Sequence, residues 1–298
     1  MCDIMILFMK VKQQLFCISI LFFSAFIFTA CVSTKTTADT PQITNDSAFI
    51  PEVFTWQPVA PGIERFDFEN SEIPLIYHTV KIDLTNENLE LEYFPETATR
   101  TDKEGRFNGL KTSVFAKKND CIVAINASPF EGKLLRKKII GIHSIDNLAF
   151  SPAKNKYSAI TFSKNQTETG NSYIANIYKN QSQELAQNFD FAFGGFFVVL
   201  QNGQVQTSFA QIYDTRSGAG ISEDGKTLYL LVVEGERKTK SIGLTYPQCG
   251  QIFAAMGCYN ALELDGGGSS ELCINGKSIL TYKTWRIQAN SFGFRESR

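Results

Sequence analysis

The amino-acid sequence predicts an α+β fold, mostly antiparallel sheet with many hairpins and few helices. Apolar residues alternate with others through Ile76, His78, Val80, Ile82 and Leu84, and again through Leu89, Leu91 and Tyr93. That period of two is the pattern of half-buried strands. Asn202-Gly203, Asp224-Gly225 and Asn275-Gly276 each separate two apolar runs, and such pairs supply the positive φ angles of tight hairpins. Against these stands one long helical pattern, from about Tyr246 to Met256, which stops near Gly257.

The chain opens with Lys10 and Lys12 ahead of an apolar run from Leu15 to Phe28, followed by Thr29-Ala30-Cys31. A short basic region, an apolar stretch short for a membrane span and small residues at its end describe a secretory signal. Cys31 in this setting resembles the lipobox of bacterial lipoproteins, with Phe28 where Leu is usual. The resemblance implies cleavage before Cys31 and acylation of its thiol, so the membrane is an expected partner through that lipid; the competing reading is an uncleaved signal anchor. Residues 1–30 are read as signal peptide, 31–54 as lipidated tether and 55–298 as one folded domain. Ser, Thr, Asp, Asn and Pro dominate the tether, which has too few apolar anchors to fold alone. The roughly 240 residues behind it suffice for one large core. A net charge of −1 argues against nucleic acid as a partner.

Of seven cysteines, Cys2 and Cys17 leave with the signal and Cys31 is the anchor. Cys121, Cys249, Cys258 and Cys273 remain, all in apolar surroundings, as two disulfides or four buried thiols. No two have metal-ligand spacing and the chain holds only two histidines, His78 and His143, so no zinc site is expected. No cofactor is required by the sequence, which leaves the need for a divalent ion open.

Within the folded part, the runs 76–84 and 89–93 read as one antiparallel hairpin around Thr85-Asn86-Glu87-Asn88. His78, on the apolar side of its strand, is expected to be structural. Leu110 to Lys118 reads as a short helix closed by Asn119-Asp120, with Leu110 and Val114 facing inward beside Phe115. Cys121 to Ile125 is a buried strand that delivers Asn126, followed by Ala127-Ser128-Pro129-Phe130. A polar residue at the end of an apolar strand is fixed by the strand and exposed by the loop. His143 is expected at the surface. Arg216 stands beside the small residues Gly218-Ala219-Gly220, where a guanidinium can clamp phosphate or carboxylate. Glu234 is a carboxylate at the end of the apolar strand Leu228 to Val233. Ser241-Ile242-Gly243-Leu244-Thr245 leads into the long helix.

The most informative stretch runs from Asn260 to Gly276. An alternating apolar run ends at Asp265, and Gly266, Gly267, Gly268, Ser269 and Ser270 follow. Glycines in a row indicate a backbone that turns tightly or approaches something closely. Successive amides in such a loop can form an anion-holding nest, to which the serine hydroxyls add donors.

In order along the chain, these pieces resemble the phosphodiester glycosidase family. The resemblance rests on Pro61-Gly62-Ile63-Glu64, the Val80 to Leu84 strand, Ala124-Ile125-Asn126 through Phe130, and Gly194-Gly195 to Asn202-Gly203. Thr215-Arg216, Leu230 to Gly235, the segment around Gly243 and Asn260 to Ser270 complete it. Ala127-Ser128-Pro129 stands where the family has Gly-Gly, and Ser217 where it has Thr. The resemblance implies an exported hydrolase that cleaves a sugar from a GlcNAc-1-phosphodiester-like substrate. A sugar phosphate departs as a phosphate monoester, so it needs an anion clamp more than the proton that an ordinary glycoside requires. Asp265 is then expected as nucleophile or base, with Glu234 as second candidate and Arg216 as catalytic clamp. Asn126, Gly243, Gly266, Gly267, Gly268, Ser269 and Ser270 are expected to bind the substrate. The alternative is a non-catalytic envelope lipoprotein that binds sugar phosphate or exopolysaccharide, favoured by Ala127-Ser128-Pro129 in place of glycines.

Overall fold

The structure is a computed structural model, which describes residues 48–95, 105–237 and 239–297. The expected lipidation at Cys31 lies outside the described residues. Among the described residues, twenty-one strands form four antiparallel sheets.

The largest sheet has eight strands, in the order β1 (Gln57–Ala60), β2 (Ile63–Asn70), β3 (Leu75–Asp83), β17 (Thr227–Val233), β16 (Arg216–Ile221), β18 (Asn260–Glu263), β14 (Val198–Gln201) and β15 (Gln204–Val205). It is buried on both faces, which is why β17 reads as an unbroken apolar run. Leu228, Leu230 and Val232 join one core, while Tyr229, Leu231 and Val233 join another. On the first face lie two five-stranded sheets. One is β10 (Leu148–Ser151), β9 (His143–Ile145), β13 (Phe191–Gly194), β11 (Ala159–Gln166) and β12 (Asn171–Tyr178). The other is β20 (Lys277–Ser278), β19 (Leu272–Ile274), β6 (Val123–Asn126), β21 (Ser291–Glu296) and β4 (Leu89–Phe94). A small sheet, β5 (Arg106–Asn108), β8 (Arg136–Ile139) and β7 (Phe130–Glu131), completes the set.

Helices are α1 (Thr112–Lys118), α2 (Leu185–Asn188) and α3 (Tyr246–Ala255). The mostly antiparallel sheet with few helices is as expected, and with so little helix the α+β reading holds only roughly, the fold being nearly all-β. The helix α3 starts on a capping box, with the Thr245 hydroxyl accepting from the Gln248 amide and the Gln248 side chain accepting from the Thr245 amide. It lies against Gly218 and Gly220, where a Cβ at Gly220 would come 2.6 Å from the Phe253 ring. The small residues of β16 therefore make room for this helix.

All three expected Asn-Gly and Asp-Gly hairpins form, as β14–β15, β16–β17 and β19–β20. The expected pairing of runs 76–84 and 89–93 does not. The strand β3 pairs with β2 and β17, whereas β4 pairs with β21 in another sheet. Alternation identifies a strand but not its partner, and here the turn crosses between sheets. In α1 the inward residues are Thr112, Phe115 and Ala116, while Val114 is exposed. Phe49, within the residues read as tether, is fully buried, and its carbonyl accepts a 3.0 Å bond from the Tyr77 hydroxyl. All four cysteines are buried free thiols. His143 is not at the surface but fully buried among Phe107, Phe150 and Phe193, and burial pushes its pKa down to about 4.

Candidate active site

Antiparallel order brings the C-terminal ends of β17 and β18 beside the N-terminal start of β16. Glu234, Thr215 and Asp265 therefore share one end of the large sheet, and β6 delivers Asn126 to the same place. The Asp265 amide donates to the Ala127 carbonyl at 2.8 Å.

Asn126 is completely buried. Its Oδ1 accepts 3.0 Å bonds from the Ser217 hydroxyl and the Glu271 amide, and its Nδ2 donates to the Asp265 carbonyl at 2.7 Å. The side chain thus latches two sheets and the glycine loop together rather than facing a ligand. The loop itself closes as a 3-10 turn over Gly267–Ser269. The amides of Gly267, Ser269 and Ser270 donate to the carbonyls of Thr215, Gly266 and Gly267. Most of the expected nest is therefore satisfied internally. The Ser270 hydroxyl is buried without a partner, while that of Ser269 bonds the Asp265 carboxyl. Gly243, at φ +85°, has no room for a side chain, since a Cβ would stand 2.2 Å from the Asp214 carbonyl oxygen.

Asp265 is half-buried, and burial raises its carboxyl to about 6 against the pull of the Ser269 hydroxyl, Arg286 and Lys137. Those two cations are the ones that sequence reasoning missed. The Arg286 guanidinium lies 3.6–3.8 Å from where a Cβ on Gly268 would stand, and 3.5 Å from the Ser269 hydroxyl. A Cβ at Gly268 would meet it at ordinary van der Waals distance. Lys137 comes from β8, its ammonium 4.7 Å from the centre of the Phe130 ring. Burial and Arg286 lower its pKa, and Asp265 raises it. A second carboxylate, Asp214, borders the loop from the other side, 4.0 Å from a Cβ position on Gly267. Nothing in a basic hairpin or a loop arginine marks Lys137 or Arg286 on paper, because the sheet arrangement alone brings them to Asp265.

Strand alternation sets the side of the sheet that Arg216 faces. Ser217 faces Asn126, so Arg216 faces the opposite side of the sheet, with Gly218, Gly220 and α3. Its Nε donates to the Leu244 carbonyl at 2.9 Å and its Nη2 to the Ile212 carbonyl, while the guanidinium stacks 4.2 Å from the Tyr246 ring centre. Its fork is engaged by the protein, and it pins β16 to the start of α3.

Glu234 is fully buried and saturated. It accepts from His78 Nε2 at 3.0 Å, the Thr281 amide at 2.7 Å, the Thr281 hydroxyl and Arg237. A carboxylate so fully bonded has no lone pair to offer a substrate. It holds the segment 281–290, which carries Arg286, onto the sheet. His78 bridges Glu234 and Asp67, with 2.7 Å from Nδ1 to Asp67. Burial works against the charged forms in this trio. The mutual hydrogen bonds and charges outweigh it, raising His78 and lowering Glu234 and Asp67.

A glycine-serine loop at the end of stacked antiparallel sheets holds one raised carboxyl, with the charges of Arg286 and Lys137 acting on it, and the class the fold defines is a β-sheet protein. The chain belongs to the phosphodiester glycosidase family, whose model matches residues 119–295. A hypothetical protein from Synechocystis has a similar fold at a TM-score of 0.61 and 14% identity, over 82% of this chain and 64% of that one. The catalytic domain of zebrafish N-acetylglucosamine-1-phosphodiester alpha-N-acetylglucosaminidase, auto-inhibited by its pro-peptide, is similar at 0.59 and 16% identity. There the match covers 80% of this chain and 85% of that one. A 64-residue stretch, 22% of this chain, is 42% identical to the SPbeta prophage-derived uncharacterized protein YomE of Bacillus subtilis (strain 168). The match spans 10% of that protein's length. Among the described residues, no helix is long and apolar enough to cross a membrane.

Proposed function

We propose that the protein is an exported, lipid-anchored hydrolase that cleaves a sugar from a sugar-1-phosphodiester of the GlcNAc-1-phosphodiester type. The observation that carries this reading is the half-buried Asp265 carboxyl, raised to about 6, with Lys137, Arg286 and the Ser269 hydroxyl around it. Asp265 acts at the anomeric carbon as nucleophile or as the base that activates water. The anomeric C–O bond breaks and its electron pair leaves on the phosphate monoester. Lys137 and Arg286 hold that phosphate, so they take the clamp role expected of Arg216. Asn126, Gly243 and Glu234 keep loop and cations in position.

The second reading, a non-catalytic sugar-phosphate or exopolysaccharide binder, is favoured by the loop at Ala127-Ser128-Pro129. There Asn290 accepts from the Ser128 amide at 2.8 Å and donates to its hydroxyl at 2.9 Å, leaving a packed turn in place of glycines. Incubation with a GlcNAc-1-phospho-sugar diester, followed by assay of free reducing sugar, separates the two. Wild type should release sugar. Asp265→Asn should lower turnover by roughly 100- to 10,000-fold while keeping its Tm and its affinity for a sugar phosphate. Binding without release by wild type establishes the second reading, and near-native turnover in Asp265→Asn removes that residue from the chemistry. Acyl-probe labelling that vanishes in Cys31→Ser tests the anchor.

A further inference from the structure

The β7–β8 hairpin carries a feature that neither folding nor the site explains. At its tip Leu134 is 86% exposed and sits at φ +49°, while Leu135 is 56% exposed. A branched side chain in the left-handed region costs free energy, and Gly or Asn would occupy such a turn more cheaply. A leucine that adopts it and leaves its side chain in water gains nothing from the folded chain. Around the leucines stand Lys133, Arg136 and Lys138, with Arg106 on the neighbouring strand and Glu131 the one acid. Arg106, Arg136 and Lys138 also line a cleft of about 350 Å³. In a chain of net charge −1, this concentration of cations is local.

We propose that this hairpin is a membrane-contacting foot, with Leu134 and Leu135 entering the interface of an anionic lipid surface and the surrounding cations meeting lipid phosphates. Apolar side chains at a protruding tip, ringed by Lys and Arg, match such a surface in both polarity and charge. The base is firm enough to present it, since the Gly109 amide donates to the Leu135 carbonyl at 2.6 Å. A soluble polyanion shares the phosphate chemistry but offers nothing to the leucines, and the test distinguishes it.

Hydrogen exchange of the full chain is followed in peptides covering 131–138, with phosphatidylglycerol-containing vesicles, with phosphatidylcholine vesicles and with neither. The local readout is independent of how residues 1–47 engage the bilayer. Anionic vesicles should slow exchange at 132–136 about tenfold or more, and high salt should weaken the effect. Each cation replaced by Gln should lower anionic-vesicle binding at the tip roughly fivefold. Leu134→Asn suits the left-handed turn, so it should keep or raise Tm while losing the vesicle-dependent slowing. Three results overturn the proposal: unchanged exchange with anionic vesicles, slowing that survives Leu134→Asn with Leu135→Ser, or slowing by dextran sulfate but not by vesicles.

Discussion

Asn126→Ala tests whether the buried amide is a latch or a ligand. The substitution removes three bonds and leaves the Ser217 hydroxyl, the Glu271 amide and the Asp265 carbonyl without their partner. A buried polar group deprived of its partner costs about 1–3 kcal/mol. Partial relaxation around a small side chain brings the total to about 3–5 kcal/mol. For a domain of this size each kcal/mol shifts Tm by roughly 2–4 °C, so a fall of about 10 °C is expected. Because the Asp265 backbone loses its tie, kcat for the sugar phosphodiester should drop while KM stays near the wild-type value. Differential scanning calorimetry and initial-rate kinetics on one preparation read both quantities. Asn126→Asp keeps the two acceptor bonds but turns a carboxylate oxygen onto the Asp265 carbonyl in a fully buried site, so its Tm should fall at least as far as that of Ala. An unchanged Tm with a raised KM would refute the latch and restore the substrate contact that the strand-end position suggests.

In the proposed mechanism Asp265 acts ionised, so kcat/KM should fall as pH drops through about 6. Arg286 favours the charged form, so in Arg286→Gln that limb should move to higher pH, with KM raised about tenfold or more by loss of a phosphate contact. An unmoved limb would show that Arg286 does not act on Asp265. Arg216→Lys should lower Tm, because it loses the forked bonds to Leu244 and Ile212 and the stack on Tyr246, while KM for a sugar phosphate stays unchanged; a raised KM at native Tm would reverse that assignment. His78 has a raised pKa, so its contribution is complete below its ordinary 6.5 and fades as pH rises through the folded value. Asp67 and Glu234 are lowered, so theirs is complete above 3.8 and 4.5 and fades as pH falls. Wild-type Tm should therefore decline on the alkaline side of 6.5, and His78→Gln should flatten that decline; equal slopes in both proteins would exclude the network as its source.

Local signals in the chain specified strands, tight turns and the span of α3, because each depends on neighbours a few residues apart. Asn275-Gly276 dictates a hairpin wherever it stands, and Thr245 with Gln248 caps a helix within one turn. The pairing of β3 with β17 and of β4 with β21 was not readable, since those partners lie more than a hundred positions away. The site divides the same way. Asp265 and its glycines announce themselves by composition, and the structure places them with Asn126 and Glu234 at one end of the sheet. Which face Arg216 occupies turned on a single step of alternation relative to Ser217. Lys137 and Arg286 reach Asp265 from separate segments, and His78 meets Glu234 across two strands. Such encounters leave no spacing to read.

The four thiols give the fold a built-in record of its own opening. Burial pushes Cys121 up to about 12, and Cys249, Cys258 and Cys273 are likewise raised, so each holds almost no thiolate near neutral pH. An alkylating reagent therefore reaches them only when the surrounding structure separates. Cys121 and Cys273 share the small core under α1, whereas Cys249 and Cys258 belong to the core under α3. Labelling rates at the two pairs, located by peptide mapping, would time the lifting of each helix separately. The helix α3 begins directly after the Gly243 segment that braces Asp214. The labelling rate at Cys249 and Cys258 reports opening next to that brace, and it can be measured without substrate.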